Sequence, residues 1–153
     1  MSSHYELRDL PAQPAVFGRE TLPQDKVTET LSRLLPAVGK QIAAQGETPV
    51  GPPFTRWLAW GETDCTVEAG IAVAAPLADT GEFYNGTLGG VLAAFTVHTG
   101  SYDTLQETYL ALEAWALTQG KQSNGPRWEV YMTDPTTLPP SKWRTELYLP
   151  VTL

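Results

Sequence analysis

Glu146 and Tyr148 fall on one face of the closing stretch SKWRTELYLPVTL, Ser141 to Leu153, when it is read as an extended strand. Trp143, Thr145, Leu147, Leu149 and Val151 fall on the other. A carboxylate beside a phenol in the middle of an apolar strand has two readings. One wet face is ordinary for an antiparallel sheet. Alternatively, the face lines a pocket built around Glu146. A partly desolvated carboxylate is costly to leave unpaired, so such a pocket would prefer cations and reject anions.

The same chemistry recurs earlier in the chain. Gly46 matches Gly120 and Gly51-Pro52 matches Gly125-Pro126, each pair 74 positions apart. That offset also aligns Leu31 with Leu105, Val38 with Leu112 and Trp57 with Tyr131. Further on, TVEAGIAV lies against RTELYLPV and aligns Glu68 with Glu146, now 78 apart. The second half therefore carries four more residues in the loop DPTTLPPSKW. Such an offset, held across a helix, its stop signal and the next strand, is the signature of an internal repeat. On their strands, Trp57 is separated by alternation from Phe54, Leu58 and Trp60, and Tyr131 from Trp128, Val130 and Met132. Each repeat is thus expected to place an aromatic and a carboxylate on the less apolar face of adjacent strands. Trp57 and Tyr131 would then clamp a flat ligand across a shared cleft, while Trp60, Trp115, Trp128 and Trp143 fall to the core.

Each repeat follows one plan. It opens with an extended region, HYELRDLPAQPAVFGRE or GEFYNGTLGGVLAAFTVHTG, broken by Pro11 or by Gly89-Gly90. A helix follows. In the second half it spans about Tyr102 to Gln119, with Leu105, Tyr109, Leu112 and Ala116 on one stripe, Ser101 or Asp103 as cap and Gly120 as stop. In the first half it spans about Asp25 to Gln45, with a kink expected at Pro36. Two strands complete each repeat: Phe54–Trp60 with Thr66–Ala74, and Trp128–Thr133 with Arg144–Val151. The fold class is therefore α+β: one domain over 1–153 built from two pseudo-twofold-related strand-helix-strand-strand repeats, about 4–76 and 81–153, with antiparallel sheets and a ligand cleft between the halves.

Composition narrows the function. The net charge is −7 and the basic residues form no cluster, which argues against direct nucleic-acid binding. His4, His98 and Cys65 lack any metal-ligand spacing, so neither a metal nor a cofactor is expected. His98, in TVHTG, reads as a turn or surface residue. No nucleophile elbow or phosphate loop is present. One cysteine, no apolar signal core and no run of membrane-spanning length point to a cytoplasmic protein.

The segments VHTGSYDTLQETYLALEAWALTQG, GPRWEVYMTDP and WRTELYLPV, in that order, resemble the GyrI-like small-molecule-binding domain, related to effector-binding modules of AraC-type and MerR-type multidrug-responsive regulators. The first half matches through GPPFTRWL and VEAGIAVAAP, and the resemblance covers about Tyr5 to Val151. It implies binding of lipophilic, often cationic aromatic compounds, with Glu146 as the glutamate that meets the ligand's charge; no DNA-binding segment accompanies the module, so a stand-alone binding protein is expected. The candidate ligand-binding residues are Glu146, Tyr148, Tyr131, Trp57 and Glu68. The resemblance also implies a hydrolytic alternative, opening of cyclopropane-bearing toxins with Glu146 as base and Tyr131 or Tyr148 as hydrogen-bond donor. A third possibility is a protein partner such as a topoisomerase. Sequence does not separate passive binding from hydrolysis.

Overall fold

The computed structural model describes residues 4–153. The chain is α+β and divides into two compact units. The N-terminal unit is Ala12–Gly90; the C-terminal unit is Val91–Leu153 together with the residues up to Pro11.

Four antiparallel strands and one helix build the N-terminal unit. The strands are β2 (Gln13–Pro23), β3 (Pro53–Trp60), β4 (Asp64–Ala72) and β5 (Tyr84–Leu88), in the order β3-β4-β2-β5. The helix is α1 (Val27–Ala44), preceded by a 3-10 turn over Gln24–Lys26. Its buried residues Thr30, Leu34, Val38 and Ile42 recur every fourth position. Val38 and Ile42 pack on Val16, Ile71 and Val73 of the sheet region. The α-helix is continuous through Pro36. Both Pro36 and Ser32, whose carbonyl loses its partner, are exposed, so water can satisfy the orphan group.

The C-terminal unit repeats this plan with β1 (Tyr5–Asp9), β6 (Leu92–Thr99), β7 (Trp128–Tyr131) and β8 (Arg144–Pro150), in the order β1-β6-β8-β7. Its helix is α2 (Leu105–Thr118), entered through a 3-10 turn at Tyr102–Thr104. Ser101 caps that turn by accepting the Asp103 N–H on Oγ at 3.2 Å. Tyr109, Leu112 and Ala116 pack on Ala94, Leu147, Leu149 and Val151. Both helices stop in the same way. Gly46 and Gly120 take φ of +75° and +73°. The next N–H reaches back to the helix at 3.0–3.1 Å, Glu47 to Ile42 O and Lys121 to Ala116 O. This is the left-handed stop that glycine makes cheap.

The leading strands are exchanged. β1 precedes β2 in the chain but pairs with β6, and β5 precedes β6 but pairs with β2. The boundaries of the compact units, at 11/12 and 90/91, therefore differ from those of the sequence repeats. Leu10 N–H bonds the Val91 carbonyl at 2.9 Å where the two breaks meet. His98 is a correction to the surface reading. It is buried on the helix side of β6, its ring nitrogens 2.7 Å from Thr108 Oγ1 and 2.9 Å from the Ser101 carbonyl. It thereby ties the strand to the start of α2.

Two glycines give opposite expectations. A Cβ on Gly70 of β4 would collide with the Val16 carbonyl and lie 2.7 Å from Phe17 Cβ and 2.9 Å from Phe54 Cζ. Gly70→Ala should destabilise the protein by about 1–3 kcal/mol, the usual range for overpacking. Gly39, within α1, has only Ile71 Cδ1 at 3.9 Å. Gly39→Ala should stabilise by about 0.5–1 kcal/mol. Urea unfolding of both variants against wild type checks the contrast; Gly70→Ala at wild-type stability would contradict the packing described.

Candidate functional site

Directly opposed residues in an antiparallel sheet share a face. In the C-terminal unit Leu147 and Leu149 face α2, so Glu146 and Tyr148 lie on the face without a helix. Register places Val97 and Val130 beside Glu146, and Phe95 and Trp128 beside Tyr148. The Trp128 and Tyr148 rings are stacked, 5.1 Å apart and 12° from parallel. Phe95 leans on the same phenol at 5.2 Å. Tyr148 donates its hydroxyl to Glu146 Oε1 at 2.9 Å. Burial, then the hydrogen bond to Glu146, pushes the phenol well above its ordinary value, so it remains a donor at neutral pH. Arg8 sits 3.5 Å over the Phe95 ring, but its charge is met by Glu6 at 2.6 Å. Among the described residues Glu146 forms no ion pair. The half-buried carboxylate has valines on both neighbouring strands and a neutral phenol as hydrogen-bond donor.

The equivalent face of the N-terminal unit solves the same problem differently. Glu68 on β4 stands in register with Arg19 of β2 and Arg56 of β3. These arginines occupy the places that Val97 and Val130 hold beside Glu146. Arg19 donates Nε and Nη2 to Glu68 Oε2 at 3.1 and 2.7 Å. Arg56 donates Nε to Oε1 at 2.7 Å. Glu68 is 2% exposed, and both of its oxygens are engaged. Where the C-terminal unit has Tyr148, this unit has Gly70, closed over by Phe17 and Phe54. Glu68 is thus committed to holding three strands together.

Trp57 and Tyr131 require a correction. Both lie on the helix faces, opposite to the glutamates. Trp57 registers with Val67 and packs against the cluster of Leu22, Cys65 and Val67, which Val27 and Leu31 of α1 also cover. Tyr131 registers with Thr145, and its hydroxyl donates to Glu129 Oε2 at 2.7 Å. Conversely, Trp128, expected on the face opposite to the glutamate, shares the face of Glu146, and Trp60 is exposed rather than core. Counting apolar residues misassigned the faces because β7 carries a charged residue inward. Glu129 is 3% exposed and also accepts from Tyr109 of α2 at 3.1 Å. No spacing in the sequence marks it. Trp128 was legible as the residue aligned with Phe54, on the strand next to Glu146.

Burial, then the Glu129 charge, drives the Tyr109 phenol well above its ordinary 10.0. A group that holds its proton more tightly when folded contributes stability below its unfolded value and loses that contribution as pH rises above it. The protein should therefore weaken progressively above about pH 10. Tyr109→Phe should cost about 1–2 kcal/mol at neutral pH, one buried hydrogen bond, and flatten the alkaline decline. Urea midpoints measured from about pH 7 to pH 11 read both effects.

No curated protein matches the sequence. Among solved structures, the EcmrR C-terminal domain superposes with a TM-score of 0.86 at 22% identity, over 99% of both chains. SAV2435, solved bound to tetraphenylphosphonium, gives 0.67 at 17% identity, over 97% of this chain and 94% of that one. A hydrolase from Listeria innocua gives 0.67 at 17% identity, over 97% and 91%. At such identities these likenesses establish the fold. The family model itself spans residues 3–152, and the chain belongs to the GyrI-like small-molecule-binding domain family.

Proposed function

We propose that this protein binds lipophilic organic cations on the helix-free face of its C-terminal unit, with Glu146 as charge partner, and so senses or sequesters them. One contrast carries the reading. At equivalent sheet positions Glu68 is neutralised by Arg19 and Arg56, whereas Glu146 stands between Val97 and Val130. A carboxylate in that setting is a standing acceptor for positive charge. The half-buried ring of Tyr148, stacked on the buried Trp128 and backed by the buried Phe95, supplies apolar area, at about 25 cal/mol per Å² buried, and cation–π attraction of roughly 0.5–2 kcal/mol. Stacking and a point charge demand no single ligand shape, which suits a broad range of aromatic cations. The tetraphenylphosphonium complex of SAV2435 supports the choice of ligand class.

A hydrolytic reading rests on the same pair. The Tyr148 hydroxyl lies 2.9 Å from Glu146, so a carboxylate base and a phenol donor stand together. The Listeria innocua relative is described as a hydrolase. Tyr131, on the opposite face, drops out of this role.

Tetraphenylphosphonium titration, followed by tryptophan fluorescence, tests the binding reading. At an effective dielectric of about 20 and a separation of about 5 Å, one charge pair gives about 3 kcal/mol before screening. Glu146→Gln should therefore weaken the cation at least tenfold and leave neutral triphenylphosphine oxide nearly unchanged. Val97→Arg, which imports the solution found beside Glu68, should do the same. Undiminished cation binding by Glu146→Gln would remove that residue from the site. For hydrolysis, a cyclopropane-bearing alkylator is incubated with the protein and followed by mass spectrometry; the reading requires addition of water that Glu146→Gln abolishes.

A further inference from the structure

Around Glu68, the helix-free face of the N-terminal unit carries more positive charge than it neutralises locally. Arg19 and Arg56 converge on one carboxylate, Glu68. Apart from Asp64 at the outer end of β4, Glu68 is the only acid that strand alternation puts on this face. Arg56 is mostly buried and spends Nε on Glu68 and Nη1 on the Thr87 carbonyl at 3.0 Å. Arg19 spends Nε and Nη2 on Glu68, yet its side chain is 47% exposed. Among the described residues, Nη1 of Arg19 makes no hydrogen bond. One carboxylate between two guanidinium groups leaves a net positive charge, and the accessible share of it is the outer edge of Arg19.

That edge is held in place. Glu68 grips two of the Arg19 nitrogens, and the guanidinium carbon lies 5.3 Å from the Tyr84 ring centroid and 5.7 Å from that of Phe17. Tyr84 is 49% exposed, with its ring 6.0 Å from Phe17. A positioned guanidinium edge next to an accessible aromatic ring fits a flat aryl group bearing an anionic substituent: the ring stacks on Tyr84 and the anion takes the free N–H donors of Arg19.

We propose that this face is a second ligand site, selective for aryl anions such as aromatic sulfonates and carboxylates. The two repeats then present the same sheet position with opposite charge preference. This site shares no residue with the one around Glu146, so either can fail alone.

The test uses two probes with one ring system, naphthalene-2-sulfonate and naphthalen-2-ylmethylammonium, titrated by calorimetry into the full chain. The sulfonate should bind wild type and weaken about tenfold in Arg19→Gln, a variant that leaves Glu68 its pairing with Arg56. Lys40→Gln, which removes an exposed helix charge elsewhere, should leave the sulfonate unchanged, as should Glu146→Gln. Tyr84→Ala should weaken it several-fold. No detectable sulfonate binding at millimolar concentration, or equal loss in Arg19→Gln and Lys40→Gln, overturns the proposal. Loss of the ammonium in Glu146→Gln with the sulfonate retained would separate the two sites.

Discussion

Each four-stranded unit of this protein has one helix, and a helix covers one face. The second face must be reconciled with side chains that alternation delivers to it every other residue. Much of what is distinctive here follows from that constraint. In both units the helix side is filled by the buried stripe of α1 or α2. On the other side both units receive a glutamate at the centre of the last strand of the repeat. A half-buried or buried carboxylate cannot be ignored energetically. The N-terminal unit answers with two arginines and two phenylalanines closing over Gly70. The C-terminal unit answers with a tyrosine hydroxyl and leaves the charge without an ion pair among the described residues.

The repeat makes this contrast interpretable. Two unrelated glutamates in different environments would say little. Glu68 and Glu146 occupy the same position in the same local frame, so the frame is constant and only the neighbours differ. Four substitutions separate the two environments: arginine against valine on each flanking strand, glycine against tyrosine two residues along, and phenylalanine against tryptophan beside that position. Each changes what the carboxylate can do. The arginines convert it into a structural anchor. The valines preserve its demand for a positive partner, and Tyr148, stacked on the buried Trp128, places a half-buried aromatic ring beside it.

The buried Glu129 shows the opposite use of charge. It faces inward, under α2, and is satisfied by Tyr109 and Tyr131. The result is a hydrogen-bonded link between the strand and the helix that an apolar residue could not supply. It also accounts for part of the strongly raised phenol of Tyr109. A carboxylate on a strand is therefore no guide by itself to which face is open; its partners decide.

Some of this was determined by sequence alone. Periodicity, the glycine stops and the constant offset specify two α+β repeats, because hydrophobic alternation and left-handed helix ends are local properties. Glu146 and Tyr148 were placed together on the face opposite Leu147 and Leu149 for the same reason. Tertiary structure decided three further things. It exchanged β1 and β5 between the repeats, a choice set by pairing partners distant in the chain. It turned Trp57 and Tyr131 towards the helices and Trp128 towards Glu146, since alternation fixes which residues share a face but not which face meets the helix. And it separated Glu68 from Glu146, because the arginines that neutralise Glu68 come from strands 49 and 12 residues away and meet it only once the sheet has formed.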